Sequence, residues 1–351
     1  MHLKIFLWQP CHTERNMGLF SPLGKISLLP IIRLIRSFLL DYPHNISYIC
    51  LLKIFKKKYQ MKDNFFVKTH GLGNEYIVLC DKSITFNLSR NAIKRICNVN
   101  FGIGSDGILL KVDSDKADVG LRIYNPDGSE AEKSGNGLRI FCKYIFDYGF
   151  VSKREFTVET KGGLVKANIV EVKNNRATLI TVDMGTAIFS APLIPTSFPT
   201  AEVNDETINV EGKDYKINCV SMGNPHCVII KDHLDIAEVK KYGPYIEHYK
   251  MFPNRINVQF AKIINRKEVE ILIWERGAGF TLASGTSSCA VASVLRKKDL
   301  IDSEVTIKML GGELKIEINE HMDVRMTGKV RQSCEGVLNE DLLEDLEEGG
   351  I

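Results

Sequence analysis

The stretch NPDGSEAEKSGNGLR at residues 125–139 decides how this chain is read. It is a polar, Gly-rich turn that runs directly into an apolar-periodic helix, predicted over about residues 136–148. Two glycines flank Asn136, so backbone N–H groups can approach a bound group closely, and the helix dipole adds partial positive charge at the same spot. That is the construction of an anion site, although a single turn of this kind is more often an ordinary helix cap. A second stretch, ERGAGFTLASGTSSC at residues 275–289, has the same construction, with Ser-Gly-Thr opening another small-residue helix over about residues 286–297.

The two stretches belong to an internal repeat. Gly73-Asn74 recurs as Gly223-Asn224 and Ser134-Gly135 as Ser284-Gly285, both at an offset of 150 residues (73 to 223, 134 to 284). Downstream, FTVETKGGLVKANI at 156–169 matches VTIKMLGGELKIEI at 305–318 at an offset of 149. The repeat predicts two similar halves facing one another across a pseudo-twofold axis, each giving one Gly-rich helix start to a shared cleft.

At 351 residues the chain is long enough for two domains with cores of their own, and its 44% hydrophobic and 25% charged content is that of a globular protein. Residues 1–60 carry nine Lys or Arg against Glu14 and Asp41; the remainder holds 37 basic and 41 acidic residues and shows no nucleic-acid footprint. Residues 26–40 are apolar but interrupted by Pro30, Arg33 and Arg36, so no uninterrupted membrane span is present there. The strand and turn patterning begins at Met61, and residues 1–60 read as a non-native upstream extension. Nine cysteines show neither a CxxC pair nor metal-ligand spacing and read as buried, reduced thiols of a cytoplasmic protein.

Along the chain, FFVKTHGLGNEYIVLCD (65–81) reads as strand, turn, strand, and residues 88–98 as a short helix. GIGSDGILLKV (102–112) is a glycine turn feeding a strand; it lacks the third glycine and the context of a dinucleotide fingerprint. Leu138, Phe141, Ile145 and Tyr148 form the predicted buried stripe of the first key helix, and Cys142 is core. APLIPTSFP (191–199) marks a boundary between an N-terminal half at 61–190 and a C-terminal half at 200–338. Val291, Val294 and Leu295 line the second key helix, two more strands follow, and the acidic end 339–351 reads as a solvated tail.

HGLGNEYIVL, GIGSDGILL, the 125–139 turn, SMGNPHCV, NRINV and ERGAG with SGT resemble the diaminopimelate epimerase family, in that order, over residues 61–338. The resemblance implies an α/β (α+β) protein of two pseudo-twofold-related halves, each a β-sheet wrapped around a central helix. It implies cofactor-independent inversion at an amino-acid α-carbon, with no metal, pyridoxal phosphate or nucleotide. One thiolate would remove the α-proton while a thiol on the opposite face returns one. The substrate carboxylate would lie at the two helix starts, on Gly135, Asn136, Gly285 and Thr286. Asn74, Asn125, Asn224, Asn257, Glu275 and Arg276 would hold its amino groups and distal end, and His226 and Glu275 would support proton movement. The implied partner is a small-molecule amino acid, with no nucleic acid or membrane, in a homodimer.

The sequence departs from the family pattern where the chemistry is expected. Both positions filled by cysteine in the family hold serine, Ser134 and Ser284, while Phe280 stands for a usual Glu and Ser287 for a usual Gly. A thiol pKa of about 8.5 falls readily at a helix N-terminus; a serine hydroxyl is no base unless another group takes its proton. Three readings follow: an epimerase acting through Ser134 and Ser284, an isomerase or lyase needing one base, and an amino-acid binder without catalysis.

Overall fold

The structure, a computed structural model, describes residues 62–132 and 134–347; the upstream extension expected at 1–60 lies outside the described residues. The first half comprises β1 (Phe65–Gly71), β2 (Asn74–Cys80), α1 (Arg90–Cys97), β3 (Ile108–Val112), β4 (Val119–Tyr124), β5 (Glu130–Ala131), α2 (Gly135–Asp147), β6 (Glu155–Thr160), β7 (Gly163–Lys173) and β8 (Arg176–Thr186). A 3-10 turn at Ala191–Leu193 leads on to β9 (Glu206–Val210), β10 (Lys213–Ser221), β11 (Pro225–Ile230), α3 (Ile236–Glu247), β12 (Asn257–Asn265), β13 (Glu268–Glu275) and β14 (Gly279–Thr281). The chain then forms α4 (Gly285–Lys297), β15 (Glu304–Met309), β16 (Gly312–Ile318), β17 (Asp323–Lys329), β18 (Arg331–Val337) and α5 (Glu340–Glu347).

Pairing links the strands in the order β18-β1-β2-β3-β4-β6-β7-β8-β17-β16-β15-β13-β12-β11-β10-β9, with β5 on β4 and β14 on β13. The parallel pairs are β2/β3 and β4/β6 in one half and β11/β12 and β13/β15 in the other, so the repeat seen in sequence is a repeat of topology. The halves join where β8 runs antiparallel to β17 from Leu179–Lys329 to Thr186–Asp323. The chain's last strand, β18, returns to the first half and pairs with β1.

Each sheet wraps one helix. In α2 every residue from 135 to 145 is buried, and in α4 so are Gly285 and 287–295. The stripe expected on α2 is therefore a helix enclosed on all sides, as a helix without a solvated face must be. Leu138, Phe141 and Ile145 are fully enclosed, each contributing about 1.5–3 kcal/mol; Tyr148 falls at the C-cap and is only partly covered. The main core draws on both helices and both sheets. Cys142 and Cys289 are buried in it, as Cys80, Cys97, Cys219 and Cys227 are buried elsewhere, while Cys334 is exposed.

Two expectations differ from the structure. Four strands, not two, follow α4, because the hairpin β17/β18 carries little alternation of polar and apolar residues on its exposed strand. The acidic end is not wholly solvated: α5 places Leu346 in a small core with Leu338, Ile77 and Leu79, against which Leu342 and Leu343 also pack. Leucines at 342, 343 and 346 recur at helical spacing, and that apolar edge outweighs the surrounding charge. Among the described residues no helix is long and apolar enough to cross a membrane.

Candidate active site

Both key helices start on one cleft of about 880 Å³. Their first residues meet back to back: a Cβ added at Gly285 would stand 3.5 Å from Gly135 Cα. Met326 of β17 fills the remaining space, 2.7 Å from the Cβ that Gly135 lacks and 3.0 Å from that of Gly285. Glycine at these positions is thus a matter of close approach. Two helix N-termini, each equivalent to roughly half a positive charge, point at the same volume.

Ser134 and Ser284 cap these helices in extended backbone (φ −140° and −145°). Ser134 Oγ accepts from Gly137 N at 3.1 Å and Ser284 Oγ from Ser287 N at 3.4 Å, so each hydroxyl stabilises its helix start by about 1 kcal/mol. Beyond capping, the two serines differ. Ser134 Oγ lies 3.3 Å from the Tyr76 hydroxyl. Burial, together with the nearby Asp106 and Glu275 charges, pushes the Tyr76 phenol up to about 12, with the Ser134 hydrogen bond opposing. Ser284 instead sits by the Glu275 carboxyl, whose pKa its hydroxyl lowers, and Thr281 Oγ1 donates to that carboxyl at 3.3 Å. Burial holds Glu275 above the ordinary carboxylate range against those hydrogen bonds.

The cleft is lined by Asn74, Asn125, Ser134, Gly135, Asn136, Asn224, Glu275, Arg276, Ser284, Gly285 and Thr286 of the residues singled out from sequence. Asn136 Nδ2 donates to Asn74 Oδ1 at 3.2 Å, and Asn74 Nδ2 to Asp106 Oδ2 at 2.8 Å. Asn125 donates to Ser129 Oγ. The turn at 275–279 is fixed from behind by the buried Glu247, which accepts from Trp274 Nε1 at 2.8 Å and Gly277 N at 3.0 Å. Phe280 lies on the lining, with the Lys240 ammonium over its ring.

Two singled-out residues do not line the cleft. Asn257 is buried with both ends of its amide engaged, donating to Pro225 O and accepting from Arg276 N; it holds the backbone that presents Arg276. His226 is fully enclosed, its Nε2 2.9 Å from Asn224 Oδ1. Burial lowers its pKa to about 3, so at neutral pH the ring is uncharged.

Sequence reading missed Tyr76, Asp106 and Arg139. Arg139 is wholly buried beneath α2, donating to Gly135 O at 3.2 Å and to Asn136 Oδ1 at 2.7 Å. Among the described residues no carboxylate pairs with it, and burial lowers its pKa to about 10, leaving it a cation under the helix starts. The only signal in the sequence was its place at the end of the glycine turn. Among the described residues no group of three or more His, Cys, Asp or Glu side chains is placed to hold a metal ion.

The fold is one shared with solved structures described as a racemase and an epimerase. A probable proline racemase from Agrobacterium radiobacter superposes with a TM-score of 0.61 at 13% identity, covering 82% of this chain and 95% of that one. A hydroxyproline epimerase from Agrobacterium vitis gives 0.60 at 12%, covering 78% and 90%. Within that class the chain belongs to the diaminopimelate epimerase family, whose profile matches residues 66–190 and 218–332. Diaminopimelate epimerase 2 of Nostoc sp. is 44% identical over 278 residues, 79% of this chain and 96% of the relative. Diaminopimelate epimerase of Acetivibrio thermocellus is 44% identical over 275 residues, 77% and 97%.

Proposed function

We propose that this protein is an isomerase that interconverts LL- and meso-diaminopimelate by moving the α-proton between two faces of the bound amino acid. The observation that carries the reading is the back-to-back meeting of the α2 and α4 starts at Gly135 and Gly285, over a cleft lined by Asn74, Asn125, Asn136, Asn224, Arg276 and Thr286. Backbone donors and helix dipoles there suit a carboxylate whose charge grows as the α-carbon loses its proton. Gly135, Asn136, Gly285 and Thr286 hold that carboxylate; Asn74, Asn125, Asn224 and Arg276 hold the rest of the substrate.

The proton steps are assigned by the neighbours of the two serines. Ser284 gives its hydroxyl proton to the Glu275 carboxylate and takes the α-proton on its oxygen. Either hydroxyl of the Ser134–Tyr76 pair can donate; with Tyr76 as donor, Ser134 accepts from both Gly137 N and Tyr76 and its own O–H faces the opposite side, delivers its proton to the α-carbon and is refilled from the Tyr76 phenol. Glu275 is left protonated and Tyr76 ionised, and exchange with solvent resets both. Because a serine alkoxide is far less accessible than a thiolate, turnover is slow. We further propose, as the resemblance implies, a role in lysine biosynthesis, in the cytoplasm, without pyridoxal phosphate and as a homodimer.

The test is α-proton exchange in deuterated water, followed by NMR with diaminopimelate stereoisomers. Deuterium incorporation with inversion supports the assignment. Incorporation without inversion leaves a one-base reaction on the Glu275 side, and binding without exchange leaves a binder that has lost its chemistry.

A further inference from the structure

Behind the second half of the cleft lies a buried polar triad with no counterpart in the first half. His226 on β11, Gln259 on β12 and Ser287 on α4 are all fully enclosed. The offset of 150 residues relates them to Tyr76, Leu109 and Gly137, and strand register keeps the same offset: Val78 lies opposite Leu109 and Val228 opposite Gln259. In the first half these three places hold a phenol turned to Ser134, an aliphatic chain and a bare Cα whose Cβ would come within 3.1 Å of Leu109 Cδ2. In the second half all three carry hydrogen-bonding groups, each destabilising if left unpaired.

As placed, two of their atoms have no partner: His226 Nδ1 and Gln259 Oε1. Gln259 Nε2 lies 3.0 Å from Ser287 Oγ, and the imidazole Nε2 lies 2.9 Å from Asn224 Oδ1. The oxygen and nitrogen of a carboxamide are assigned by their partners and not seen directly. With an oxygen of Asn224 facing it, His226 Nε2 carries a hydrogen, and in a neutral ring Nδ1 is then an acceptor in need of a donor. The Gln259 amide lies within hydrogen-bond reach of the imidazole, and turning it end for end supplies that donor. Its Nε2 then donates to His226 Nδ1, its Oε1 accepts from the Ser287 hydroxyl, and both orphans vanish. Leaving both the Gln259 and the Asn224 amides as they stand requires an imidazolium donating on both sides, which burial and the nearby Arg276 charge oppose.

We propose that Ser287, Gln259 and His226 form a one-way hydrogen-bond chain, Ser287 to Gln259 to His226 to Asn224, that locks the Asn224 carboxamide with its NH2 toward the cleft. Asn224 Nδ2 lies 3.4 Å from Thr286 Oγ1 on that side, next to Arg276 and the α4 start. This end of the cleft therefore offers donors and takes a ligand carboxylate, not an ammonium. His226 is a positioning residue and carries no proton in turnover. The opposite polarity also satisfies every atom of the triad, with Nδ1–H donating to Gln259 and the Asn224 oxygen turned to the cleft, but it sets an acceptor where the cation and the helix start call for an anion.

The inference rests on the proposed function only for the identity of the ligand; the ring tautomer is read without one. In nitrogen-15 NMR of the full chain, His226 should show a protonated Nε2 and a bare Nδ1 that accepts a hydrogen bond, unchanged from about pH 8 to about pH 5. Gln259→Leu should shift the Nδ1 signal toward that of an unbonded nitrogen and weaken diaminopimelate binding about tenfold. If Gln259→Leu does not fold, Ser287→Ala, which frees the Gln259 amide to turn back, should perturb the same Nδ1 signal. A ring protonated at Nδ1, an imidazolium at neutral pH, or an Nδ1 signal indifferent to the folded variant overturns the chain as written. Normal tautomer and variant response with no diaminopimelate bound by the parent protein would leave the chain standing and overturn the ligand.

Discussion

The two halves of the molecule have one skeleton and two chemistries. α2 and α4 are each 13 residues long, each capped by a serine whose oxygen accepts the third amide of the helix. Around those caps, however, positions 150 residues apart hold different groups: Asn125 against Glu275, Ala131 against Thr281, Tyr76 against His226, Asn136 against Thr286. One serine is backed by a neutral phenol and the other by a carboxylate. Duplicating a helix start duplicates the anion site, because that site is made of backbone. The proton chemistry is made of side chains and has diverged.

The largest test of this contrast is to restore thiols. Ser134→Cys with Ser284→Cys should raise α-proton exchange by at least about a hundredfold, since a thiolate is accessible near neutrality; of the single variants, Ser284→Cys should gain more, because only Glu275 stands ready to take its proton. Rates from the two single variants that matched would erase the distinction between the halves. Nearly as large, Glu275→Gln should lower exchange by about a hundredfold, whereas Asn125→Asp at the related place should not restore it. The same carboxyl sets a pH dependence: protonated Glu275 cannot accept from Ser284, so exchange should fall with decreasing pH around a midpoint above the ordinary Glu value, which a rate profile would read.

Gly135→Ala and Gly285→Ala probe the meeting point. Each alone is met by the flexible Met326 thioether, but together they press on it from both sides, so the double variant should lose about 0.5–3 kcal/mol more than the sum of the singles by denaturant unfolding. His226 gives a smaller, graded signal. Its folded pKa is about 3 against about 6.5 unfolded, so the unfolded chain binds one more proton between these values. Its contribution to stability is present above about pH 6.5 and is lost as pH falls, at about 1.4 kcal/mol per pH unit; His226→Gln should flatten the stability curve in that window. Least of all, Tyr76→Phe should cost about 1 kcal/mol at the first half, seen as a several-fold slower exchange with binding intact.

Much of this was written in short-range signals. Glycine turns before periodic helices and the 150-residue offset placed α2 and α4, because caps and turns are local events, and the family resemblance added eleven of the residues that line the cleft. Contacts between distant strands were not legible. Met326 reads as one more core methionine until β17 is laid beside β8, and Arg139 as a helix-surface charge until the sheet closes over it. Asn257 was singled out by the family resemblance, and only the fold shows that its amide is engaged by Pro225 O and Arg276 N. Gln259 gave no signal and Ser287 only its departure from a family glycine, since the chain joining them to His226 crosses two strands and a helix.

The β8/β17 junction has a meaning for assembly. Half of the protein would expose β8 as a long unpaired edge and would own one helix start, too little positive charge to hold a carboxylate alone. Such a half would be useful only when matched with another, edge to edge. The junction has the form of a subunit interface carried within one chain: two halves of matching topology are paired edge to edge. Coexpressed as separate fragments, the two halves should find one another and rebuild the cleft.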